Sequence, residues 1–140
     1  MTAITSYLTF NGKCREAMNF YKNCLGGELV FQTVGESPVC NEMPEQMRDS
    51  ILHSTLIKGP VVLMGSDMAP KALVAGNTVS LMLNCSSEEE AKEVYPKLAA
   101  GGTPHDPLQI SFWGALFGSL TDKYGNQWLV HYDKNYKQSA

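Results

Sequence analysis

The spacing of apolar residues changes several times along the first half of the chain, and each change predicts an element. Apolar and polar side chains alternate over residues 4–10, which predicts a strand. Over residues 13–25 the apolar side chains recur at helical spacing, and a Gly-Gly pair then ends the predicted helix. Residues 28–34 form the next predicted strand, and residues 51–57 and 61–64 form a predicted hairpin.

The same order of elements returns in the second half of the chain. A strand is predicted over residues 78–83, and the run Ser86-Ser87-Glu88-Glu89-Glu90 is typical of a capping box at the start of a helix. A short strand near residues 108–110 precedes a hairpin over residues 112–130. In the first half, the corresponding helix has Asn11 as its predicted N-cap.

The repeated order predicts the domain organisation. It indicates an α+β fold made of two βαβββ modules, about residues 1–67 and 77–135, which a linker over residues 68–76 connects. Neither module is large enough to cover its own sheet, so both are expected to pack into a single domain over residues 1–140.

The second hairpin is rich in aromatic residues and glycine. Gly125 lies in its polar turn, where it supplies the positive φ that such a turn requires. Gly114 and Gly118 leave space beside large side chains, which indicates either a close approach of the backbone or the wall of a cavity.

Composition and charge restrict the class of protein. The chain has 140 residues, of which 44% are hydrophobic and 18% charged, and its net charge is −3. Its basic residues are scattered, which argues against a nucleic-acid-binding surface. No apolar run approaches the roughly 20 residues of a membrane span, and the absence of a signal-peptide pattern leads us to expect a cytoplasmic protein. The four cysteines lack CxxC spacing and are predicted to be free thiols.

At this point the chain resembles the vicinal oxygen chelate superfamily, also called the glyoxalase/bleomycin-resistance/dioxygenase fold, and within it the PhnB-like branch. The matching motifs are Tyr7-Leu8-Thr9-Phe10-Asn11-Gly12, Phe20-Tyr21, Gly26-Gly27, Met64-Gly65-Ser66-Asp67, Phe112-Trp113-Gly114, Phe117-Gly118, Thr121-Asp122-Lys123, Gly125 and Trp128. The resemblance implies paired βαβββ modules that form a curved mixed sheet around a cavity, and often a homodimer.

Enzymes of this superfamily hold a divalent metal with His, Gln or Glu on the first and last strands of each module. The matching positions in this chain are Ser6, Thr78 or Ser80, Leu63 or Met64, and Leu129. None of these side chains is a good ligand for a hard divalent cation. No cofactor is therefore predicted, although a divalent metal held by His53 with Glu28 or Glu36 is an open alternative.

The function predicted from the sequence is the binding of a small, partly apolar molecule by the sheet cavity. Trp113, Phe117 and Trp128 are candidate cavity walls, with ordinary core packing as the alternative. His53 and Gln32 are candidate polar contacts, with a backbone-bonded histidine and a solvated sheet face as the alternatives. Catalytic residues are not assigned.

The alternative function is a metal-dependent lyase, isomerase or dioxygenase. No glycine-rich nucleotide-binding loop follows a predicted strand, so the sequence does not support a methyltransferase. The expected partners are a small-molecule ligand and a second copy of the chain, with neither nucleic acid nor membrane.

Overall fold

The computed structural model describes residues 2–135. Its helices and strands follow one another as β1 (Ser6–Thr9), α1 (Cys14–Leu25), β2 (Glu28–Thr33), β3 (Ile51–Lys58), β4 (Val61–Ser66), β5 (Ser80–Asn84), α2 (Glu88–Ala99), β6 (Thr103–Ile110), β7 (Leu116–Thr121) and β8 (Gln127–Tyr132). Two short 3₁₀ turns, Cys40–Glu42 and Glu45–Met47, lie in the long loop between β2 and β3.

The chain divides into two compact units, the first ending at Val74 and the second beginning at Ala75. Each unit has one mixed four-stranded sheet, with strand order β1-β4-β3-β2 in the first and β5-β8-β7-β6 in the second. The first and last strands of each unit are parallel neighbours, and the other neighbouring pairs are antiparallel. The predicted α+β fold with two βαβββ modules is confirmed; the predicted single domain and its module boundaries stay predictions.

In the first unit, α1 packs on one face of its sheet. Its buried residues recur at helical spacing and include Cys14, Ala17, Met18 and Tyr21. A Cβ atom built on Gly65 of β4 would lie 3.0 Å from Met18 Sδ and 3.2 Å from Cys14 Sγ. Side chains on the same face of β3 and β4 as Gly65 therefore form the core of this unit.

The start of α1 is held by a residue from the far end of the unit. Asp67 Oδ1 accepts hydrogen bonds from the backbone N–H groups of Gly12 and Cys14, each 2.9 Å long, and Asp67 Oδ2 accepts one of 3.0 Å from Ile51 N–H. The predicted Asn11 cap is wrong: Lys13 is the N-cap residue and its side chain makes no capping bond. The buried carboxylate of Asp67 thus accepts hydrogen bonds from three backbone N–H groups. No side chain at the start of α1 is needed to cap the helix.

In the second unit, α2 begins with the predicted capping box. Ser87 Oγ accepts a hydrogen bond of 3.1 Å from Glu90 N–H, and Glu90 Oε1 accepts one of 3.3 Å from Ser86 N–H. The three glutamates of the first turn also favour this end of the helix, where the backbone dipole is positive. The α-helix continues through Pro96, which lies within it.

The strand before the second hairpin is longer than its sequence indicates. β6 spans eight residues, Thr103–Ile110, and includes two prolines and His105. Prolines are tolerated because β6 is an edge strand, and its pairing with β7 shifts register twice. The phenol of Tyr95 donates to the carbonyl oxygens of Asp106 and Ser119, at 2.8 and 2.9 Å, where the register shifts.

Gly118 of β7 permits this arrangement. A Cβ atom at Gly118 would lie 2.8 Å from Tyr95 Cε2 and 3.1 Å from Leu108 Cα. Of the two interpretations of this glycine, the close approach is therefore confirmed. Gly114 lies outside β7, in the preceding turn, with a φ of 92°.

Candidate functional site: the open faces of the two sheets

Each sheet has one face packed by its helix and one opposite face, which we call its open face. In the first unit, residues that alternate with the helix-facing Gly65, Leu63 and Ser54 lie on the open face. Cross-strand register places Met64 beside Thr55 and Tyr7, and Thr55 beside Val30. This open face is thus a mixture of aliphatic, aromatic and hydroxyl side chains.

The structure brings two of the predicted site residues together on this first open face. His53 and Gln32 are cross-strand partners on β3 and β2. His53 Nε2 lies 3.2 Å from Thr55 Oγ1, and its ring centroid is 5.9 Å from that of Tyr7. His53 is half-buried with a side-chain partner, whereas the sequence suggested a backbone partner as the alternative.

The positions matched to metal ligands divide between the two faces. Ser6 pairs with the core residue Leu63, so it lies on the helix-facing side, and Tyr7 occupies the open-face position next to Met64. In the second unit Leu129 lies on the open face, where its partner is Met82, and the matched Ser80 lies two residues before Met82 on the same face. Phenol, thioether and aliphatic groups at these places are poor ligands for hard divalent cations.

Of the alternative metal ligands, Glu28 and His53 lie far apart on the sheet. Glu28 lies opposite Ile57, four residues along β3 from His53, which corresponds to about 13 Å at about 3.3 Å per residue. Glu36 Oε1 accepts a 2.7 Å hydrogen bond from Thr33 Oγ1, which lowers the pKa of this carboxyl group. Over residues 2–135, no three His, Cys, Asp or Glu side chains are grouped so as to hold a metal ion.

The second unit carries a group of aromatic side chains at one end of its open face, which we call the aromatic corner: Phe112, Trp113 and Phe117. The ring centroids of Phe112 and Trp113 are 4.9 Å apart and those of Trp113 and Phe117 are 5.6 Å apart, both in edge-to-face arrangements. Phe112 is 98% exposed and Trp113 50% exposed. This corner is an unusual accumulation of accessible aromatic surface.

The turn that carries the aromatic corner is well defined. Ser111 N–H and Ser111 Oγ both donate to the carbonyl oxygen of Ala115, at 2.7 Å each. Gly114 N–H donates to the carbonyl oxygen of Ser111 at 3.0 Å. These bonds fix the backbone that carries Phe112 and Trp113.

Polar side chains continue the second open face beyond the aromatic corner. His131, which is buried and lies opposite Phe117, has its Nδ1 3.0 Å from Asn84 Oδ1. Ser119 Oγ donates to Asp106 Oδ2 at 2.7 Å. Further along, the hydroxyl of Thr121 contacts both His105 Nε2, at 2.7 Å, and Gln127 Oε1, at 2.9 Å. Aromatic and hydrogen-bonding groups therefore lie side by side.

Trp128, the remaining predicted site residue, lies on the helix-facing side. It is 2% exposed and pairs with the buried Leu120. Its indole N–H donates to Asp122 Oδ2 at 2.8 Å, while Asp122 Oδ1 accepts from the backbone of Tyr124 and Asn126 in the hairpin turn. Asp122 therefore stabilises the hairpin turn, and Trp128 joins that turn to the core rather than to the aromatic corner.

Two of the four cysteines, Cys14 and Cys85, are not suited to nucleophilic chemistry. All four are free, as predicted, and Cys14 and Cys85 are buried. Burial raises the pKa of the Cys14 thiol to about 11 and that of the Cys85 thiol to about 12. Near neutral pH both therefore remain protonated, whereas the nucleophile would be the thiolate.

Sequence reasoning did not single out Tyr7 and Asp106 as site residues. Tyr7 was visible only as one member of an alternating strand, because its contact with His53 depends on the register between strands. Asp106 lay in a segment with two prolines that was not predicted as a strand. The signal that could have identified it is its position as an isolated charge before an aromatic run.

Comparison with known proteins identifies the family of the chain. Residues 2–131 match the family described as 3-demethylubiquinone-9 3-methyltransferase. The PhnB protein of Bacillus cereus, which carries the same description, is 30% identical over 94% of this chain and 100% of its own, with a TM-score of 0.77. The chain belongs to this PhnB-like family, and it has the fold of proteins described as glyoxalase/bleomycin resistance/dioxygenase.

The chain is also similar to other proteins over nearly its whole length. Protein PA1353 of Pseudomonas aeruginosa is 38% identical, with 95% of this chain and 98% of that one covered and a TM-score of 0.83. Protein YjdN of Escherichia coli strain K12 is 31% identical over 91% of this chain and 93% of its own length. A glyoxalase-related enzyme of Fulvimarina pelagi, at 18% identity and a TM-score of 0.67 over 100% and 94% of the two chains, shares the fold.

Among the described residues, neither α1 nor α2 is long and apolar enough to cross a membrane.

Proposed function

We propose that this PhnB-like protein binds a small, partly apolar molecule on the open face of its second sheet, against the aromatic corner. The observation that carries the proposal is the exposure of Phe112 and Trp113 on a turn whose backbone is fixed by three hydrogen bonds. A ligand that covers the exposed half of a tryptophan ring removes about 100 Å² of apolar surface from water. This burial contributes about 2–3 kcal/mol to binding.

Neighbouring polar groups support a ligand that is only partly apolar. The hydroxyl of Ser119 and the amide of Asn84 lie on the same open face as Phe117. Such groups fix the orientation of a molecule whose apolar part contacts the aromatic rings.

We propose that His53 and Gln32 form a separate group of contacts on the first open face. His53 is oriented by its contact with Thr55, so that its ring lies against that of Tyr7. Val30, which is largely exposed, adds apolar surface beside Thr55. Separate variants test the first open face, because its residues belong to the first unit.

The experiment measures binding of a neutral aromatic probe, 1-naphthylmethanol, to the full chain by ligand-observed NMR titration. We expect saturable binding that weakens at least tenfold in Trp113→Ala, since the main stacking surface is lost. Val74→Ala is the control, because Val74 is an exposed apolar residue outside both sheets. Val30→Ala and His53→Ala report on the first open face.

Two outcomes would contradict the proposal. One is unchanged probe binding in Trp113→Ala. The other is a self-association, seen by sedimentation velocity across a range of concentrations, that Trp113→Ala abolishes while probe binding is undetectable. The second outcome would assign the aromatic corner to the expected homodimer instead of to a ligand.

A further inference from the structure

The second sheet contains a single formally charged side chain. Among the residues of β5, β6, β7 and β8, Asp106 is the only Asp, Glu, Lys or Arg. The first sheet differs, because it has both Glu28 and Lys58. Around the proposed ligand site the sheet thus supplies one negative charge and no lysine or arginine to neutralise it.

The carboxylate of Asp106 is held by neighbouring groups. Ser119 Oγ donates to Asp106 Oδ2 at 2.7 Å, and Asp106 N–H donates back to Ser119 Oγ at 3.2 Å. The phenol of Tyr95 bridges the carbonyl oxygens of the same two residues. No residue within 2–135 donates a hydrogen bond to Asp106 Oδ1, so this exposed oxygen is available to a ligand.

The position of this carboxylate is close to the aromatic corner. Ser119 and Phe117 lie two residues apart on the same open face of β7, about 7 Å at about 3.4 Å per residue. Asp106 is the cross-strand partner of Ser119. A ligand whose ring contacts Phe117 therefore needs to extend by only a few ångströms to reach Asp106 Oδ1.

We propose that the second open face selects aromatic amines: molecules in which a flat ring carries a protonated amino group one or two bonds away. The ring packs against the aromatic corner, and the ammonium group donates a charge-assisted hydrogen bond to Asp106. Ser119 acts as a positioning residue for the carboxylate. This inference rests on the proposed function and adds the charge of the ligand to it.

The test compares three probes that share one ring and differ in charge: 1-naphthylmethylamine, 1-naphthylmethanol and 1-naphthoate. We expect the amine to bind about three- to fivefold more tightly than the alcohol at low salt, and the carboxylate more weakly than both, as for an exposed charge pair. Because the pair is accessible to solvent, the preference for the amine should diminish as the salt concentration rises.

The variant that isolates the charge is Asp106→Asn, whose amide oxygen still accepts from Ser119 Oγ. We expect it to bind the amine and the alcohol equally. Asp49→Asn is the matched control, because Asp49 is an exposed carboxylate in the loop before β3, and it should keep the native preference. The urea midpoint of each variant checks that it is folded.

The inference is overturned if native protein does not prefer the amine, or if Asp106→Asn keeps the preference. If Asp106→Asn does not fold, the salt series of the native protein decides the question. A preference for the amine that does not diminish as the salt concentration rises then overturns the inference. Failure of the underlying proposed function has a different signature, which is alcohol binding that does not depend on Trp113. Alcohol binding that depends on Trp113, without preference for the amine, leaves the proposed function standing and removes only the charge selection.

Discussion

The two units of this protein have the same order of elements but secure their helices differently. In the first unit, Asp67 accepts from Gly12 and Cys14 at the start of α1, across 55 and 53 residues of sequence. In the second, Ser87 and Glu90 cap α2 from within its own first turn. One topology is thus compatible with either a remote or a local cap, as long as the N–H groups at the helix start are satisfied.

The contact between helix and sheet shows the same contrast. Both sheets place a glycine under their helix, but Gly65 lies near the side chains of Met18 and Cys14, whereas Gly118 lies near the ring of Tyr95 and the backbone of Leu108. Flexible side chains can move aside more easily than a backbone can. The second unit is therefore the more constrained of the two at this contact.

The largest expected effect is that of Asp67→Ala. This variant leaves the N–H groups of Gly12, Cys14 and Ile51 without their carboxylate acceptor. We expect the free energy of unfolding in urea to fall by about 3–4 kcal/mol. The control Asp133→Ala removes only an exposed bond to Asn135 N–H and should cost less than about 0.5 kcal/mol. A loss equal to that of the control would show that the remote cap is dispensable.

The next largest effect is expected from substitution of the two glycines that lie under the helices, Gly118 and Gly65. Gly118→Ala should lower the free energy of unfolding by about 2–3 kcal/mol, because the new methyl group meets a ring and a backbone. Gly65→Ala should cost about 1 kcal/mol, since Met18 can change rotamer. Gly76→Ala is the control, because a Cβ atom at Gly76 would meet open space. An equal cost at Gly65 and Gly118 in urea unfolding would contradict the proposed difference between the units.

The smallest effect is that of Ser87→Ala, which removes the local cap of α2. The expected loss is about 1 kcal/mol in the same urea assay, as for other N-cap serines. Ser86→Ala, which removes an exposed hydrogen bond to Glu90 Oε2, is the matched control and should cost less. If Ser87→Ala cost as much as Asp67→Ala, local and remote caps would be equivalent and the contrast between the units would fail.

Elements with local signals were predictable from the sequence. The capping box at Ser87 and Glu90 and the turn with positive φ at Gly125 were both confirmed. Features that depend on distant partners were not. β6 was underestimated because its prolines argue against a strand, whereas edge position and the bond from Tyr95 make the strand possible.

The candidate site divides in the same way. The sequence drew attention to Trp113, Phe117 and Trp128 as aromatic residues of one hairpin, but it could not say which face each occupies. The register of β7 and β8 puts Phe117 on the open face and Trp128 in the core with Asp122. A shift of one residue would exchange these faces, so only the pairing of strands decides them.

The sequence alone determined the family, the duplicated order of elements and the presence of an aromatic hairpin, since periodicity, caps and turn residues act over a few positions. The tertiary structure decided which groups meet. Asp67 reaches Gly12 across 55 residues, and Asp106 is aligned with Ser119 only after a bulged edge strand has paired. Such contacts depend on strand register and on packing between elements, which no local pattern specifies.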